Sequence, residues 1–336
     1  DLRSFRKRRK WGISRYTKEG VEIFNISLPV GPIYSRFFYL IGGFLTKLMY
    51  KKIFKKYGPP LIIHSHFTVH SAFAALLKKK HRIPLIITEH SSLVTKEKLS
   101  KTTLFWVRRS YPFADIIISV SKSLKKSLLN KFNIESQVIH NIVDNNAFNF
   151  HDRDTTDEIF KLISVGSLVY GKGFDVLLEA FSNLKIKNKS LKIIGEGPLR
   201  TELEKQVINL GLKENVIFLG KLTRDEINKH FQCSDAFVLA SRGETFGVSY
   251  IEAMLTGLPV IATRCGGPEE FVTIENGILV PVDDIETVSD AMLFLYENEN
   301  MYDKNEISNN VRNNFSSEAI SYKLIQTYLK LLQDIK

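Results

Sequence analysis

From residue 60 onward, short runs of apolar, mostly β-branched residues alternate with longer segments of helical periodicity. The first runs cover residues 61–64, 85–88, 116–119 and 138–140, with helical segments such as 71–80 and 122–131 between them. Continuous apolar runs are typical of parallel strands that are covered on both faces. The pattern therefore predicts an α/β fold in which strands alternate with helices.

A polar stretch without strong periodicity, residues 144–157, follows these runs and is the best candidate for a linker. The alternation then restarts, and the expected strands cover residues 160–165, 191–194, 216–219, 236–239 and 259–262. Helices are expected near 174–184, 199–210, 224–231, 248–255 and 286–296, and a last helical segment covers 317–335. We therefore predict two doubly wound domains facing a cleft, over residues 1–148 and 149–312, followed by a C-terminal helix in 313–336.

Charge is divided unevenly between the two predicted halves. The 336 residues have a net charge of +11, but residues 1–150 carry +19 and the remainder carries −8. A hydrophobic content of 44% and a charged content of 25% exclude an intrinsically disordered chain. The only two cysteines, Cys233 and Cys265, favour a reducing compartment over a disulfide scaffold.

The basic half combines positive charge with aromatic residues. Residues 3–10 are rich in Arg and Lys and precede Trp11, and residues 37–57 mix apolar side chains with five lysines. Such a combination suits an anionic membrane surface, near which a lipid-linked acceptor would be found. The alternative is a solvated, lysine-rich helix surface. The most apolar stretch, residues 37–45, is far shorter than the about 20 residues of a spanning helix, and no signal peptide is recognisable.

The most informative window, residues 242–253, directly follows a predicted strand, where open α/β sheets bind ligands. Gly247 permits close backbone approach, and the N–H groups of Gly247 and Val248 at the start of a helix can receive an anion. Glu244 lies in the loop and Glu252 about one turn inside the helix, so both carboxylates can face one ligand. Carboxylates beside a phosphate suit a ligand with hydroxyl groups, which a sugar and a ribose supply.

Two further glycine-rich windows follow predicted strands. In residues 165–173, Lys172 precedes a helix and can meet a diphosphate, since opposite unit charges 4 Å apart attract by about 4 kcal/mol at an effective dielectric of 20. An ordinary surface lysine is the competing interpretation. The turn at residues 194–198 can line the same rim, although a plain strand–helix turn would have the same sequence.

Histidines cluster at the predicted strand ends of the basic half. His64, His66 and His70 lie around one strand end, and His90 follows the next. A metal site is disfavoured because no second cluster of carboxylates completes it. We expect His90 to be functional, since the small residues Ser91 and Ser92 leave room for a ligand.

Together these residues resemble the retaining glycosyltransferases of family 4, which have the GT-B fold of two Rossmann-like domains. The most specific element is the Glu-x7-Glu pair formed by Glu244 and Glu252. The resemblance is supported by Gly166 with Lys172-Gly173, Gly195-Glu196-Gly197-Pro198, Gly266-Gly267-Pro268-Glu269-Glu270, Asn276-Gly277, His64-Ser65-His66, Thr88-Glu89-His90 and Val138-Ile139-His140-Asn141.

The resemblance implies a hexosyltransferase that moves a sugar from a nucleoside diphosphate sugar, which we expect to be UDP-linked, to a glycan or lipid-linked acceptor. It assigns the diphosphate to Lys172, the ribose to Glu252, and catalysis to His90 and Glu244. The remaining donor-site residues that it implies are Gly166, Ser167, Gly195, Phe246, Gly247 and Val248, and His64 and His66 would lie on the acceptor side. We expect no metal or other cofactor, and a cytoplasmic location, peripheral at the inner face of the cell membrane.

The chain departs from the family pattern at two places. Ser167 stands where the family usually has an arginine that partners the lysine, so one diphosphate cation is missing. The chain also begins at Asp1 without the family's first strand and glycine-rich loop, and roughly 50 to 70 residues are expected to be missing.

The family's mechanism is commonly drawn as front-face attack assisted by the donor phosphate, and these residues do not decide it. A non-hydrolysing sugar-nucleotide epimerase would share the architecture but should bring more carboxylates from the basic half. A nucleic-acid-binding module would use the charge of +19, yet no recognised motif accompanies that charge. An inactive donor-binding relative is the remaining alternative.

Overall fold

The structure is a computed structural model that describes residues 12–27, 35–151 and 158–334. Its contacts divide the chain into two compact units, one of Asp1–Glu89 with Lys96–Ile117 and one of His90–Thr95 with Ile118–Lys336. The predicted limit after residue 148 therefore falls inside the second unit, and the proposed domain limits stay a prediction. The basic residues 3–10, Trp11 and residues 152–157 of the expected linker lie outside the described residues.

The first unit begins with a hairpin that the sequence pattern did not predict. Strands β1 (Gly12–Lys18) and β2 (Val21–Ser27) are antiparallel, and the turn residues Glu19 and Gly20 both have positive φ. Two consecutive residues of this kind match the type I′ turn, whose twist suits adjoining strands.

Helix α1 (Ser35–Tyr57) contains the apolar stretch of residues 37–45. Phe38 and Tyr39 pack against Phe73 and Trp106 in a buried aromatic cluster. A Cβ atom at Gly42 would overlap the Phe73 ring, so glycine is what permits this close approach. None of the helices that the structure describes is both long and apolar enough to cross a membrane.

A four-stranded sheet has the order β3 (Ile63–His66), β4 (Leu85–Glu89), β5 (Ile116–Ser119) and β6 (Gln137–Val138). The pairs β3–β4 and β5–β6 are parallel. Helices α2 (Thr68–His81), α3 (Lys101–Ser110) and α4 (Lys122–Phe132) alternate with the strands. Strand β3 begins two residues later than expected and ends two residues later, at His66.

The second unit contains a six-stranded sheet that is parallel throughout. Its order is β12 (Gly277–Val280), β11 (Val260–Thr263), β10 (Ala236–Leu239), β7 (Phe160–Val165), β8 (Lys189–Ile194) and β9 (Val216–Gly220). Chain order therefore runs outward from β7 on one side and from β10 on the other, which is the doubly wound order with a topological switch point between β7 and β10. This confirms the predicted α/β class.

The helices of this unit are α5 (Phe174–Asn183), α6 (Arg200–Asn209), α7 (Arg224–Gln232), α8 (Val248–Leu255) and α9 (Ile285–Glu297). Each begins within one residue of its predicted start. The expected terminal helix is α11 (Ser317–Asp334), and it is preceded by α10 (Lys304–Phe315), which was not predicted. Strand β12 was also missed, since only its start at Asn276-Gly277 was noted.

Candidate functional site

The switch point of the six-stranded sheet brings together the loops that follow β7 and β10. A short 3-10 turn, Tyr170–Lys172, precedes α5 and meets the end of β10. Gly173 has a positive φ, and a Cβ atom there would overlap the carbonyl oxygen of Ala240. Glycine is therefore required for this turn, and with it Lys172, to lie against the loop that follows β10.

Glu244 lies in that second loop and contacts Lys172 directly. Its carboxylate pairs with the Lys172 ammonium group and accepts a hydrogen bond from the Ser241 hydroxyl at 2.9 Å. The backbone is held by bonds to the segment after β11, since Glu244 N–H donates to Cys265 and its carbonyl accepts from Gly267. Lys172 and Glu244, which are 72 positions apart in the sequence, are therefore in direct contact.

The start of α8 presents free backbone donors beside this loop. Gly247 precedes the helix in a left-handed conformation, and no side chain of the described residues caps the first turn. The N–H groups at the start of a helix carry partial positive charge and bind anions. Phe246, by contrast, is buried and packs against His140, Phe271 and Phe315, so its ring anchors the loop and leaves only its backbone for a ligand.

Glu252 lies one turn inside α8, and its side chain is only 12% exposed. Burial raises the pKa of Glu252 to about 7; the Arg224 guanidinium, 4.0 Å away, opposes this increase, and the Asp144 carboxylate adds to it. Arg224 is shared, because it also bonds Asp144 at 3.2 Å. Glu252 is therefore a carboxyl group that changes charge near neutral pH.

Two glycines of the window at residues 194–198 are required by close backbone packing. A Cβ atom at Gly195 would overlap the Gly166 carbonyl oxygen, and one at Gly197 would overlap the Leu168 backbone. Gly166 donates its N–H to Ile194, which links the ends of β7 and β8. Ser167 lies in the same turn, next to Gly166. The structure thus gives Gly195 and Gly197 a packing role. The predicted donor contacts of Gly166, Ser167 and Gly195 stay a prediction.

His90 belongs to the second unit, where its carbonyl oxygen accepts a hydrogen bond of 3.0 Å from the Thr245 hydroxyl. The segment that contains His90 is therefore tied to the loop that carries Glu244. The sequence predicted His90 and Glu244 as catalytic, and the structure links His90 to Thr245, the residue next to Glu244, within one unit.

His64 and His66 lie on β3 of the first unit. Their rings stack at 4.6 Å, and His64 Nε2 is 2.7 Å from the Thr88 hydroxyl. Burial, together with the neighbouring His70, lowers the pKa of His66, which favours the neutral imidazole. Their predicted role on the acceptor side has no further support from these contacts and stays a prediction.

Sequence reasoning missed the roles of two arginines. Arg224 was noted only as a helix start, yet it faces Glu252. Arg242 was noted only as the edge of a window, yet its side chain bonds Asp175 and Asp283. The available signal was a basic residue in a strand–helix loop or at a helix start, the feature that also marks Lys172.

Within the three described stretches, no group of three or more His, Cys, Asp or Glu side chains is arranged to hold a metal ion. The prediction of a reaction without a metal is not tested by this observation.

Two family models match the chain. The family described as glycosyl transferases group 1 matches residues 145–314, and the one described as glycosyltransferase family 4 matches residues 10–147. An uncharacterized glycosyltransferase of Methanocaldococcus jannaschii is 32% identical over 242 residues, which make up 71% of this chain and 66% of that protein. The chain thus spans just under two thirds of the length of this relative.

Solved structures show the same fold. Sucrose-phosphate synthase from Thermosynechococcus elongatus has a TM-score of 0.80 at 21% identity, over 97% of this chain and 87% of that one. HepE of Anabaena in complex with UDP-glucose has a TM-score of 0.74 at 22% identity, over 85% and 84% of the two chains. These similarities confirm the predicted GT-B architecture.

Proposed function

Because the chain belongs to the glycosyl transferases of group 1, we propose that it transfers a sugar from a UDP-linked donor to a glycan or lipid-linked acceptor, with retention of anomeric configuration. The observation that carries this proposal is the contact between Lys172 and Glu244 at the sheet's switch point, beside the uncapped start of α8. The ammonium group and the N–H groups suit a diphosphate, and the neighbouring carboxylate suits hydroxyl groups. The site therefore suits a ligand that contains both.

The diphosphate is proposed to bind Lys172 and the N–H groups at the start of α8. As the bond from the anomeric carbon to the diphosphate breaks, negative charge develops on the leaving oxygen. A fixed ammonium group and a helix N-terminus stabilise that charge more in the transition state than in the ground state. No metal ion is needed for this charge balance, and we propose that none takes part.

Glu244 is proposed to accept hydrogen bonds from the donor sugar, and Glu252 from the ribose hydroxyls. Both side chains are mostly buried, and hydrogen bonds to a buried carboxylate are stronger than those in water. His90, tied to the Glu244 loop through Thr245, is proposed to hydrogen-bond the sugar or phosphate at the reacting centre. UDP is the proposed carrier because HepE, which has the same fold, binds UDP-glucose.

A screen of nucleotides by thermal unfolding tests donor binding. The chain would be heated with UDP, GDP, UDP-glucose or UDP-N-acetylglucosamine, and a ligand at 100 times its dissociation constant adds about 2.7 kcal/mol of stability. We expect stabilisation by UDP compounds, and a loss of affinity of about 10- to 100-fold in Lys172→Ala, since hydrogen bonds to charged groups contribute about 1.5–3 kcal/mol.

The control is Lys187→Ala, at an exposed lysine of the same unit, which should bind like the wild type. Donor binding at this site would be contradicted if Lys172→Ala were stabilised as strongly as the wild type, or if no nucleotide stabilised the chain. Stabilisation by GDP alone would reject UDP as the carrier while keeping the site.

We also propose that the first unit contacts an anionic membrane surface through α1. Leu40 and Phe44, which are 68% and 62% exposed, share one face of the helix with the exposed Lys47 and Lys51. Between Glu22 and Glu89 the chain has no acidic residue but ten lysines and arginines. Lys56 pairs with Glu22 and Lys78 with Asp115, whereas among the described residues no carboxylate pairs with Lys47 or Lys51. Apolar side chains beside uncompensated lysines suit the headgroup region of an anionic bilayer.

A cavity of about 370 Å³ lies along this face. It is lined by Phe44, Lys47, Leu48, Tyr50, Lys51, Phe54, Leu77, Lys80 and His81, none of which is acidic. Tyr50 is buried at the base of this cavity, and its hydroxyl has no hydrogen-bond partner among the described residues. An acceptor on a lipid carrier would be met at such a surface.

A further inference from the structure

Arg242 forms an extended set of contacts at the switch point. Its side chain is only 13% exposed, and both terminal nitrogens bond the Asp175 carboxylate at 2.8 and 2.7 Å. Its Nε bonds Asp283 at 2.6 Å, and its guanidinium lies 3.9 Å from the centre of the Tyr170 ring. Such a planar, two-pronged pairing is specific to arginine and is not reproduced by lysine.

These contacts join three segments. Arg242 begins the loop that contains Glu244, and Asp175 lies in the first turn of α5, three residues after Lys172. The carbonyl oxygen of Tyr170 accepts from the guanidinium at 2.8 Å, and that of Gly171 accepts from the Arg242 backbone N–H at 2.9 Å. Asp283 precedes α9. Arg242 therefore ties both sides of the Lys172 turn to the Glu244 loop.

The guanidinium is not available as a second cation for the diphosphate. Two carboxylates within 2.8 Å already neutralise it, and their hydrogen bonds raise the pKa of Arg242 far above its usual range. The same pairing masks the charge of Asp175, which would otherwise repel a phosphate at the nearby Lys172. Ser167 stands where the family usually has an arginine. The positive side-chain charge that can reach the diphosphate therefore depends on the position of Lys172.

We infer that Arg242 is a positioning residue for sugar transfer: it fixes the Lys172 turn against the Glu244 loop and masks Asp175, so that the lysine lies where the diphosphate binds. This inference rests on the proposed function of Lys172. It assigns Arg242 no contact with the donor. The turn has its own backbone hydrogen bonds, and Gly173 packs against Ala240, but the bonds from Arg242 are what join the turn to the start of the Glu244 loop. A displacement of 1 Å can cost about 100-fold in rate.

The first test needs no ligand. Hydrogen exchange of the backbone would be measured for residues 169–174 in the wild type, Arg242→Gln, Arg242→Lys and the control Arg312→Gln. Arg312 is another half-buried arginine of the same unit, which bonds the Asn145 carbonyl. We expect faster exchange of this segment in both Arg242 variants and not in the control. Unchanged exchange in Arg242→Gln would overturn the inference, whatever the protein binds.

The second test separates position from charge. UDP affinity would be measured for Arg242→Gln, for Asp175→Asn and for the double variant. If Arg242 served only to mask Asp175, the double variant would bind UDP like Asp175→Asn alone. We expect instead that Arg242→Gln loses about tenfold or more in affinity, and that most of this loss remains in the double variant. Full recovery in the double variant would reject positioning.

The kcat of sugar transfer, measured well below the melting temperature, is a readout that a simple loss of stability does not change. We expect Arg242→Gln to lower kcat by about 10- to 100-fold at temperatures well below its melting point, and Arg242→Lys to recover only part of it because lysine cannot form the fork. Wild-type kcat and UDP affinity in Arg242→Gln would refute the inference. If the wild type itself bound no nucleotide, the proposed function would fail, while the exchange experiment would still decide whether Arg242 holds the turn.

Discussion

At the scale of single residues, the site depends on charges that are held close together and only partly exposed. Lys172 pairs with Glu244, while Glu252 shares Arg224 with Asp144. The environments of these carboxylates differ, since Glu244 has its own lysine and Glu252 does not. The pKa of Glu252 is raised by burial to about 7, so this residue is half-ionised near neutral pH.

The stability of the protein should therefore depend on pH through Glu252. Because the pKa in the folded state lies above the ordinary value of 4.5, the folded chain retains a proton that the unfolded chain has lost between these values. The contribution of Glu252 to the free energy of unfolding is largest below pH 4.5. It decreases as the pH rises to about 7, by roughly 3 kcal/mol at most. Glu252→Gln should remove this slope, so the variant gains stability relative to the wild type across the window.

Urea unfolding at a series of pH values measures this difference. A constant difference between Glu252→Gln and the wild type from pH 4.5 to 7.5 would contradict the assignment. UDP affinity gives a second readout, since an ionised Glu252 accepts hydrogen bonds from ribose more strongly. Wild-type affinity should rise toward pH 8, and Glu252→Gln corrects for the titration of the diphosphate itself.

At the scale of secondary-structure elements, α1 has two different faces. One face packs Phe38 and Tyr39 into the aromatic cluster with Phe73 and Trp106. The other exposes Leu40 and Phe44 beside Lys47 and Lys51. The helical spacing of these residues was present in the sequence, but which apolar residues were buried depended on the position of α2 and α3.

Membrane binding through α1 is tested by co-sedimentation with vesicles. The chain should bind vesicles of phosphatidylglycerol and phosphatidylcholine but not of phosphatidylcholine alone, and binding should weaken at high salt. Lys47→Glu with Lys51→Glu should reduce binding about tenfold or more, because each basic residue near the surface contributes about 1 kcal/mol.

The matched control reverses two exposed lysines of the second unit, Lys185→Glu with Lys187→Glu, and should bind like the wild type. Equal losses in both double variants would mean that net charge alone governs binding. Tighter binding to single-stranded RNA than to anionic vesicles, also lost in the α1 variant, would assign this face to nucleic acid.

At the scale of the whole molecule, two features define the chemistry that we propose. The second unit has the strand order whose switch point lies between β7 and β10, and loops from both strands meet there. The first unit carries the basic charge. The positive groups proposed to bind the diphosphate are a lysine and a helix start, which is why we expect transfer without a metal ion.

Treatment with excess EDTA tests whether transfer proceeds without a metal ion. Once the nucleotide screen has identified a donor, its transfer should proceed equally with EDTA, with added Mg²⁺ and with added Mn²⁺. Loss of transfer in EDTA with recovery on addition of Mg²⁺ or Mn²⁺ would show that a cation completes the diphosphate site. UDP affinity in the presence of EDTA, measured by calorimetry, serves as the control for folding and binding.

The sequence by itself determined the class of fold, and it supplied the residues that are proposed for the site. Apolar runs marked the parallel strands from β7 to β11, since buried strands need such runs. Glycines next to strand ends marked the turns, and the Glu-x7-Glu pair marked the loop and helix that follow β10. These features are local, because each depends on a few neighbouring residues. The hairpin, β12 and α10 were missed, since their patterns are short or polar.

Only the tertiary structure decided which of these residues meet. The contact of Lys172 with Glu244 and the fork from Arg242 to Asp175 join positions about 70 residues apart in sequence. The raised pKa of Glu252 likewise depends on burial beneath neighbouring elements. Such effects arise from strand order and packing, which bring distant charges into a shared environment of low dielectric. The periodicity of the sequence does not show which distant residues will be close together.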